Sequence, residues 1–279
     1  MRLFLLTCLT MVAFASNSIL NRFAVDSGSI DPGSFAIVRV LAGAVTLVLL
    51  VLLRRGQMEF FSGRRLTGGG ALSLYLVGFS LAYLTLDAGV GALILFGVVQ
   101  MTMFAVTALT GTPPTARQLT GAGVAFAGLS WVLWPSEGAL VDLSGAALMT
   151  AAGVGWGFYT LVGRQEQDAL SGTAANFVVA LPLTLACILV ISDVWTLSAK
   201  GIALAILSGA VTSGLGYALW YRVLPHLAAA VAGTVQLSVP IIALLSGALL
   251  LGEALSFDLL LGAMLVLGGI ALASTKPKR

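Results

Sequence analysis

The sequence predicts an all-α integral membrane protein whose ten transmembrane helices form two inverted-topology five-helix repeats around a central cavity. Composition is the first observation: 59% of the 279 residues are hydrophobic and 9% are charged, whereas soluble domains carry about 25% charged residues. A chain this poor in charge cannot cover a water-facing surface, so we expect the lipid bilayer to be its solvent. The other observations are regularly spaced apolar runs and a one-sided distribution of cations.

Apolar runs of about 20 residues, long enough to cross a bilayer as helices, follow one another along the whole chain. Charged residues, prolines and glycine clusters separate them. The ten predicted spans lie near 3–24, 33–53, 67–86, 90–110, 117–134, 143–163, 172–192, 200–222, 227–250 and 258–274. The longest connection runs from Arg54 to Leu66, so no loop is long enough for an independent domain.

The N-terminal run imitates a signal peptide, with Ala13-Phe14-Ala15 in the place of a cleavage site. The run nevertheless continues through Ser16 to Leu20 and reaches the full length of a span. We therefore expect it to be retained as the first transmembrane helix.

The cations predict the orientation, because cytoplasmic loops are enriched in lysine and arginine. With the N-terminus in the cytoplasm, the outer loops contain one cation, Lys200, and most of the acids. The predicted cytoplasmic cations are Arg2, Arg54, Arg55, Arg64, Arg65, Arg117, Arg164, Arg222, Lys276, Lys278 and Arg279. The predicted outer acids are Asp26, Asp31, Asp87, Glu137, Asp142, Asp193, Glu253 and Asp258. An even number of spans then places both termini in the cytoplasm.

The chain also repeats itself, with residues 1–138 as the first five-helix repeat and 139–279 as the second. Aligning Gln100 with Gln236 starts a series of matched positions. The pairs are Ala82 with Ala218, Ala92 with Ala228, Gly97 with Gly233, Gly111 with Gly247, Gly121 with Gly262, Gly128 with Gly269, Phe14 with Trp156, Ser18 with Thr160 and Arg22 with Arg164. Because five is odd, the second copy must enter the membrane inverted. Many secondary transporters have this architecture, with a site at the midplane.

A series of short motifs marks the second half: Gly216-Tyr217, Ala228-Ala229-Ala230, Pro240, Leu251-Gly252-Glu253-Ala254-Leu255, Gly262 and Gly268-Gly269. This series resembles EamA-type transporters of the drug/metabolite transporter superfamily. The first half is similar to the same unit through Phe14 to Arg22, Pro32 to Arg39 and Gly91 to Gly128, although Phe104 replaces the proline. The resemblance implies a ten-helix carrier in the bacterial inner membrane, most similar to exporters of aromatic amino acids.

Polar and aromatic residues that share a helical face inside a membrane indicate a cavity, because polarity facing lipid is costly. In the first span Thr10, Phe14, Asn17 and Asn21 recur at steps of four, three and four, which is one face of a helix. We expect substrate to contact Phe14, Asn17, Tyr75, Phe79, Tyr83, Gln100, Trp156, Tyr159, Tyr217, Trp220 and Gln236. Interfacial aromatic belts and helix–helix contacts of amides are the alternative explanation.

A lining of aromatic rings and neutral amides suits a neutral or zwitterionic organic molecule such as an amino acid. It equally suits a small aromatic drug or another metabolite. Phosphates and inorganic ions would require lysine or arginine clusters or carboxylate rings.

Arg39 is the charge that lies well inside a span, about 10 Å along the helix from Pro32 at 1.5 Å per residue. It could meet a substrate carboxylate. The favoured expectation is structural: Arg39 snorkels outward or pairs with Asp26, Asp31 or Asp193.

Other functions fit the sequence less well. An intramembrane enzyme would need paired acids, HExxH or a serine–histidine pair at depth. A channel would show a filter segment or a charged ring; a scaffold would transport nothing.

The cations do not alternate with aromatics, so we expect no nucleic acid partner. Cys8 and Cys187 lie in apolar runs, so we expect small buried side chains, no metal and no cofactor. Without a Walker motif there is no ATP drive; transport direction, proton coupling and oligomeric state stay open, and a monomer is compatible with the sequence.

Overall fold

The computed structural model describes residues 2–60, 62–110, 115–134, 141–163, 166–223, 226–227 and 235–274. Its helices are α1 (Arg2–Asp26), α2 (Pro32–Leu53), α3 (Gly63–Ala82), α4 (Ala88–Leu109), α5 (Ala116–Leu133), α6 (Leu143–Gly163), α7 (Ala169–Ile191), α8 (Ala199–Ile206), α9 (Gly216–Val223), α10 (Ser238–Ser246) and α11 (Phe257–Ser274). A π-helical segment, Leu207–Leu215, joins α8 to α9, and a second, Gly247–Leu251, follows α10. These residues contain no strand beyond an isolated bridge between Ile30 and Leu197.

The all-helical prediction is confirmed for the described residues. Within the described ranges, six helices are long and apolar enough to cross a membrane: Arg2–Asp26, Pro32–Leu53, Ala88–Val106, Leu143–Gly163, Ala169–Ile191 and Ala199–Trp220. Two shorter apolar helices are Ser238–Leu251 and Phe257–Ala273. Helical residues overlap all ten predicted ranges, whereas the number of crossings and their inverted arrangement stay predictions.

Several predicted features lie outside the described residues. These are the boundary between the repeats at 138/139, the matched positions Gly111, Arg164, Ala228 and Gly233, the acid Glu137, the Ala228-Ala229-Ala230 motif and the C-terminal cations Lys276, Lys278 and Arg279.

Polar caps explain why the helices begin where they do. Asp31 caps α2 by accepting a 2.8 Å hydrogen bond from the backbone N–H of Ser34, and Pro32 occupies the first turn, where a missing N–H is harmless. Thr115 and Gln118 form a reciprocal capping box at the start of α5. Such side chains satisfy backbone donors that a helix start leaves without partners.

Pro240 stands in the first turn of α10, directly after a turn at Leu237. Pro182 lies inside α7, which continues on both sides of it.

The surface of the bundle is apolar and part of its interior is polar, the reverse of a soluble domain. Leu53, Val190 and Leu249 are more than 80% exposed, whereas Asn17, Arg39 and Ser213 are at most 2% exposed. Lipid would solvate such a surface. The expectation that Cys8 and Cys187 are buried is wrong: both are exposed, because each lies on the outward face of its helix.

The two ends of the bundle differ in charge. We call the end that contains Asp26, Asp31, Asp87, Asp142 and Glu253 the acidic end, and the end that contains Arg54, Arg55, Arg64 and Arg65 the basic end. At the acidic end, the connection after α1 bonds to the one before α8, through Ser198 N–H to Ser29 O at 3.0 Å and Thr196 N–H to Asp31 Oδ2 at 2.9 Å. The site described next lies between these ends.

Candidate functional site

The polar stripe predicted on α1 faces the interior. Thr10, Phe14, Asn17 and Asn21 are all buried, as their helical spacing indicates. Asn21 donates a 3.0 Å hydrogen bond from Nδ2 to Ser80 Oγ on α3. Asn17, near the middle of α1, forms the polar centre of the site.

Aromatic side chains from four helices meet at Phe14. Its ring centroid lies 5.6 Å from Tyr217 and 6.1 Å from Trp156, both edge to face. Trp156 in turn lies 4.9 Å from Tyr75 and 4.9 Å from Tyr217. These separations are typical of favourable ring pairs, worth about 0.5–1.5 kcal/mol each beyond their burial. The rings thus form a connected wall built by α1, α3, α6 and α9.

A small cavity lies against this wall. Its volume is about 10 Å³, which holds about one water molecule. Its lining consists of Phe14, Asn17, Ser18, Tyr75, Phe79, Leu95, Phe96, Trp156 and Tyr217. The predicted central cavity is therefore nearly filled by side chains in this conformation.

The structure brings most of the predicted site residues together. Phe14, Asn17, Tyr75, Phe79, Trp156 and Tyr217 line the cavity. Tyr83, Tyr159 and Trp220 form a second layer, since they pack against Phe79, Trp156 and Phe14 at ring separations of 4.8, 5.3 and 6.0 Å. Gln100 and Gln236 are half-buried and do not belong to the lining of this cavity.

Hydroxyl groups of the π-helical segment converge on the amide of Asn17. Its Oδ1 accepts hydrogen bonds from Ser208 at 2.8 Å, Thr212 at 2.6 Å and Ser213 at 3.3 Å. In a π-helix each residue bonds to the fifth along the chain rather than the fourth. The rotation about the helix axis per residue is therefore smaller than in an α-helix. Thr212 and Ser213 therefore share one face with Ser208.

Arg39 lies behind the aromatic wall and is fully buried. Its Nε donates to Ser213 Oγ at 3.1 Å and its Nη2 to Tyr75 Oη at 2.9 Å. Its Cζ lies 4.8 Å from the centroid of Phe79 and 5.3 Å from that of Tyr75, within cation–π range. The backbones of α2 and the π-helical segment approach closely at this point. Glycine permits the approach, because a methyl group on Gly209 would clash with the Arg39 carbonyl.

The expected structural role of Arg39 is wrong in its details. The side chain does not snorkel outward, since it is 0% exposed. Asp26 pairs with Arg22 at 3.2 Å, and Asp31 accepts backbone hydrogen bonds at the acidic end. Of the residues that the structure describes, no carboxylate lies within 4.0 Å of the Arg39 guanidinium.

Sequence reasoning did not single out several residues of this site. Ser18, Leu95 and Phe96 line the cavity, and Ser208 and Thr212 complete the polar cluster. The four-residue step between Ser208 and Thr212 was a readable signal, and so was the step between Phe96 and Gln100. Ser213 gives a further signal, since it stands four residues before Tyr217, whereas the π winding itself has no comparable sequence signature.

One contact joins the two halves of the chain at the basic end of the bundle. Arg65 at the start of α3 donates two 2.7 Å hydrogen bonds, one from each terminal nitrogen, to the two carboxylate oxygens of Glu166. Their side chains are 8% and 6% exposed. Charge-assisted, bidentate hydrogen bonds of this kind are stronger than hydrogen bonds between neutral groups.

A second contact lies at the acidic end. The Glu253 carboxylate accepts hydrogen bonds from the backbone N–H groups of Ala88 at 2.6 Å and Gly89 at 3.2 Å, at the start of α4. Gly252, with φ of +71°, makes the turn that presents it, a conformation that glycine adopts without strain. Burial raises the pKa of Glu253, and these backbone hydrogen bonds oppose that shift. Beside Glu253 lies a cavity of about 400 Å³ that also contacts Arg22, Asp26 and Asp87.

Comparisons with known proteins agree with this fold. The sequence profile of the EamA-like transporter family matches residues 143–275. Uncharacterized protein PA1977 of Pseudomonas aeruginosa is 46% identical over 97% of this chain and 94% of its own length. The chain belongs to the EamA-like transporter family. It therefore fits the drug/metabolite transporter superfamily, as the sequence motifs predict.

Two further similarities are more distant. Uncharacterized transporter YwfM of Bacillus subtilis is 26% identical over 53% of this chain and 52% of its own length. A solved crystal structure matches with a TM-score of 0.64 and 16% identity, over 95% of this chain and 97% of that one; it shares the fold. As an EamA-like transporter, the protein is a multi-pass membrane transporter of small compounds, and the family consists of transporters rather than enzymes.

Proposed function

We propose that this EamA-like transporter is a secondary carrier that exports small neutral or zwitterionic metabolites, amino acids in particular, across the bacterial cytoplasmic membrane by alternating access. The observation that carries the proposal is the small, buried aromatic cavity with a polar centre at Asn17. Phe14 and Tyr75 come from the first half of the chain, whereas Trp156 and Tyr217 come from the second. A cavity between two halves can be exposed to either side in turn when the halves shift.

The pattern of helix packing supports two inverted repeats. Helix α3 packs against α6 and α7, whereas the region 199–223 packs against α1 and α2. Helix α4 packs against α6, and α10 against α1. In each of these comparisons, replacing both helices of the first contact by the helices five spans away gives the second contact. A two-fold relation between the halves requires this correspondence.

The matched glycines support the same relation at finer scale. A methyl group on Gly121 would lie 2.5 Å from the carbonyl oxygen of Gly269, and one on Gly128 would lie 3.0 Å from that of Gly262. Gly121 aligns with Gly262 and Gly128 with Gly269, so each of these contacts is the repeat image of the other. Small residues at such crossings let helix backbones approach closely.

Contacts at both ends of the bundle support alternating access. The Arg65–Glu166 pair closes the basic end, and Glu253 on the start of α4 closes the acidic end. With both formed, the cavity has room for about one water molecule, as expected of an occluded state. Release of one contact at a time would open the site to one side only. The excess of cations at the basic end favours a cytoplasmic location for it.

Counterflow in proteoliposomes tests the proposal. Purified protein should exchange labelled amino acid against a saturating unlabelled pool, and a panel of amino acids then defines the substrate range. Asn17→Ala and Trp156→Ala should lower the exchange rate at least tenfold. Phe158→Ala is the matched control: Phe158 lies on the same helix as Trp156 but is 42% exposed, and its loss should change little.

The outcomes distinguish the alternatives. Exchange of small aromatic drugs or other metabolites without exchange of amino acids would favour the alternative substrate class. Leakage without saturation or counterflow would favour a channel. Wild-type rates in both Asn17→Ala and Trp156→Ala would overturn the assignment of the site.

A further inference from the structure

Several buried polar atoms near the cavity have no hydrogen-bond partner, and two of them can only donate. Arg39 Nη1 and Trp156 Nε1 are buried and have no hydrogen-bond partner in the structure. Tyr217 Oη and Asn21 Oδ1 also lack partners; the hydroxyl can donate or accept and the amide oxygen accepts. Asn17 Nδ2 makes a single long bond of 3.5 Å to Ala13 O, because the acceptor end of this amide is occupied by hydroxyls. Arginine guanidinium and indole N–H groups donate and never accept. Arg39 Nη1 and Trp156 Nε1 therefore each lack an acceptor.

The charge of the site points the same way. Arg39 carries a full positive charge that is always present, and it is 0% exposed. Its partners, Ser213 and Tyr75, are neutral hydroxyls. A buried cation without a counter-charge is costly, by several kcal/mol in real proteins. The contacts with the rings of Tyr75 and Phe79 offset part of this cost.

Several acids of the described ranges bond to other groups. Glu166 binds Arg65, Glu253 caps α4, and Asp87 lies 3.6 Å from Arg22. All lie at the ends of the bundle. Of the described residues, no carboxylate lies within 4.0 Å of the Arg39 guanidinium to balance its positive charge.

We propose that Arg39 is the counter-charge for a carboxylate of the transported molecule, which makes this a site for carboxylic acids. The inference rests on the proposed transport function and adds the group that the site recognises. A carboxylate that replaces the Tyr75 hydroxyl would accept from Nη1 and Nη2 together, the bidentate geometry that guanidinium favours. Trp156 Nε1 and Asn17 Nδ2 supply neutral donors beside it, and the rings of Phe14 and Tyr217 receive the apolar part.

Three matched molecules separate the contributions of carboxylate and amine: phenylalanine, 3-phenylpropionate, which lacks the amine, and phenethylamine, which lacks the carboxylate. Binding to detergent-solubilised wild-type protein is measured by the rise in melting temperature, because a ligand that binds only the folded state stabilises it. Phenylalanine and 3-phenylpropionate should raise it, and phenethylamine should bind at least tenfold more weakly.

The binding results for the three molecules distinguish the carboxylate site from the proposed transport function. Equal binding of phenethylamine and phenylalanine would overturn the role of Arg39 while leaving a transporter of amino compounds. Binding of 3-phenylpropionate without phenylalanine would support the carboxylate site and overturn transport of amino acids. No binding of any of the three would overturn both.

Substitution of Arg39 gives a second test. A hydrogen bond to a charged group is worth about 1.5–3 kcal/mol, so Arg39→Gln should weaken binding of 3-phenylpropionate about 10- to 100-fold. Arg39→Lys keeps the charge and loses the bidentate geometry, so it should lie between Arg39→Gln and wild type. Arg117→Gln is the control, because Arg117 is exposed at the start of α5. An Arg39→Gln protein that binds 3-phenylpropionate as wild type does would overturn the proposal; if it does not fold, the wild-type panel decides.

Discussion

Arg65 and Glu166, 101 residues apart in the sequence, form a bidentate ion pair with two hydrogen bonds of 2.7 Å. The pair joins the start of α3 to the connection between α6 and α7, so it links the first half of the chain to the second. A third contact, from Arg65 Nε to Glu59 O at 3.1 Å, holds the guanidinium in place. This pair and Glu253 at the opposite end are the two closures that a carrier would have to release in turn.

Removal of the Glu166 charge should destabilise the protein. Glu166→Gln leaves Arg65 buried without its counter-charge, and breaking a buried pair in this way costs about 3–5 kcal/mol. The melting temperature in detergent should fall by several degrees. Glu59→Gln is the control, because the Glu59 side chain is exposed and only its backbone oxygen binds Arg65. Equal melting temperatures for the two variants would contradict a stabilising role of the pair.

The crossing of α5 and α11 predicts a contrast between two neighbouring glycines. A side chain on Gly121 would meet the backbone of Gly269, whereas a side chain on Gly123 would meet nothing within 4 Å. Gly121→Leu should therefore lower the free energy of unfolding by about 1–3 kcal/mol through overpacking, and Gly123→Leu should not. Thermal unfolding of the two variants in the same detergent measures this. Similar destabilisation by both would mean that these helices do not cross here.

Opening of the acidic end should depend on pH through Glu253. Burial raises its pKa above the ordinary 4.5 in the closed form, with Asp87 adding to the shift and Arg22 opposing it. The closed form consequently binds the proton more tightly than a hydrated open form. By linkage, closure is favoured most below pH 4.5, and this advantage is lost as the pH rises through the raised pKa.

Thiol labelling measures that opening. In a background with Cys8 and Cys187 replaced by alanine, Ser18→Cys places a thiol in the cavity lining, and Ser27→Cys is the reference at the acidic end. The labelling rate at position 18 with a membrane-impermeant reagent, divided by the rate at 27, should rise with pH. Glu253→Gln should remove the rise, and an unchanged profile in that variant would contradict the assignment.

Asn17→Ala should also cost stability, independently of any substrate. The substitution removes the acceptor that Ser208 and Thr212 bond at 2.8 and 2.6 Å, and buried hydroxyls without partners cost about 1–3 kcal/mol. Ser16→Ala on the same helix is the control, since Ser16 bonds only the Val12 carbonyl of its own helix. Thermal unfolding of both variants without ligand distinguishes them; equal melting temperatures would mean that the Asn17 cluster does not stabilise the fold.

Helical spacing was enough to find much of the candidate site. Phe14 and Asn17 share a face of α1, and Tyr75 and Phe79 share a face of α3, so periodicity alone indicated which way these side chains point. Cys8 shows the limit of this approach: an apolar run does not reveal which of its faces meets lipid, because both faces are hydrophobic.

The partners of Arg39 illustrate what the sequence could not provide. Ser213 is 174 residues away in the chain, and the expectation of an aspartate partner came from residues nearer in sequence. Ser213 lies in the π-helical segment, whose Gly209 packs closely against the backbone of α2. A buried arginine with neutral partners is visible only when distant helices are seen together.

Composition and apolar run lengths by themselves predicted a helical membrane protein, because each segment that lipid solvates must be apolar. The family motifs added the prediction of a transporter. The tertiary structure alone decided that Arg39 lies behind the aromatic wall, with no carboxylate of the described residues within 4.0 Å, and that Arg65–Glu166 and Glu253 form contacts at opposite ends. These features depend on distances between helices that are far apart in the chain. Local sequence patterns constrain the faces of helices but not the distances between them.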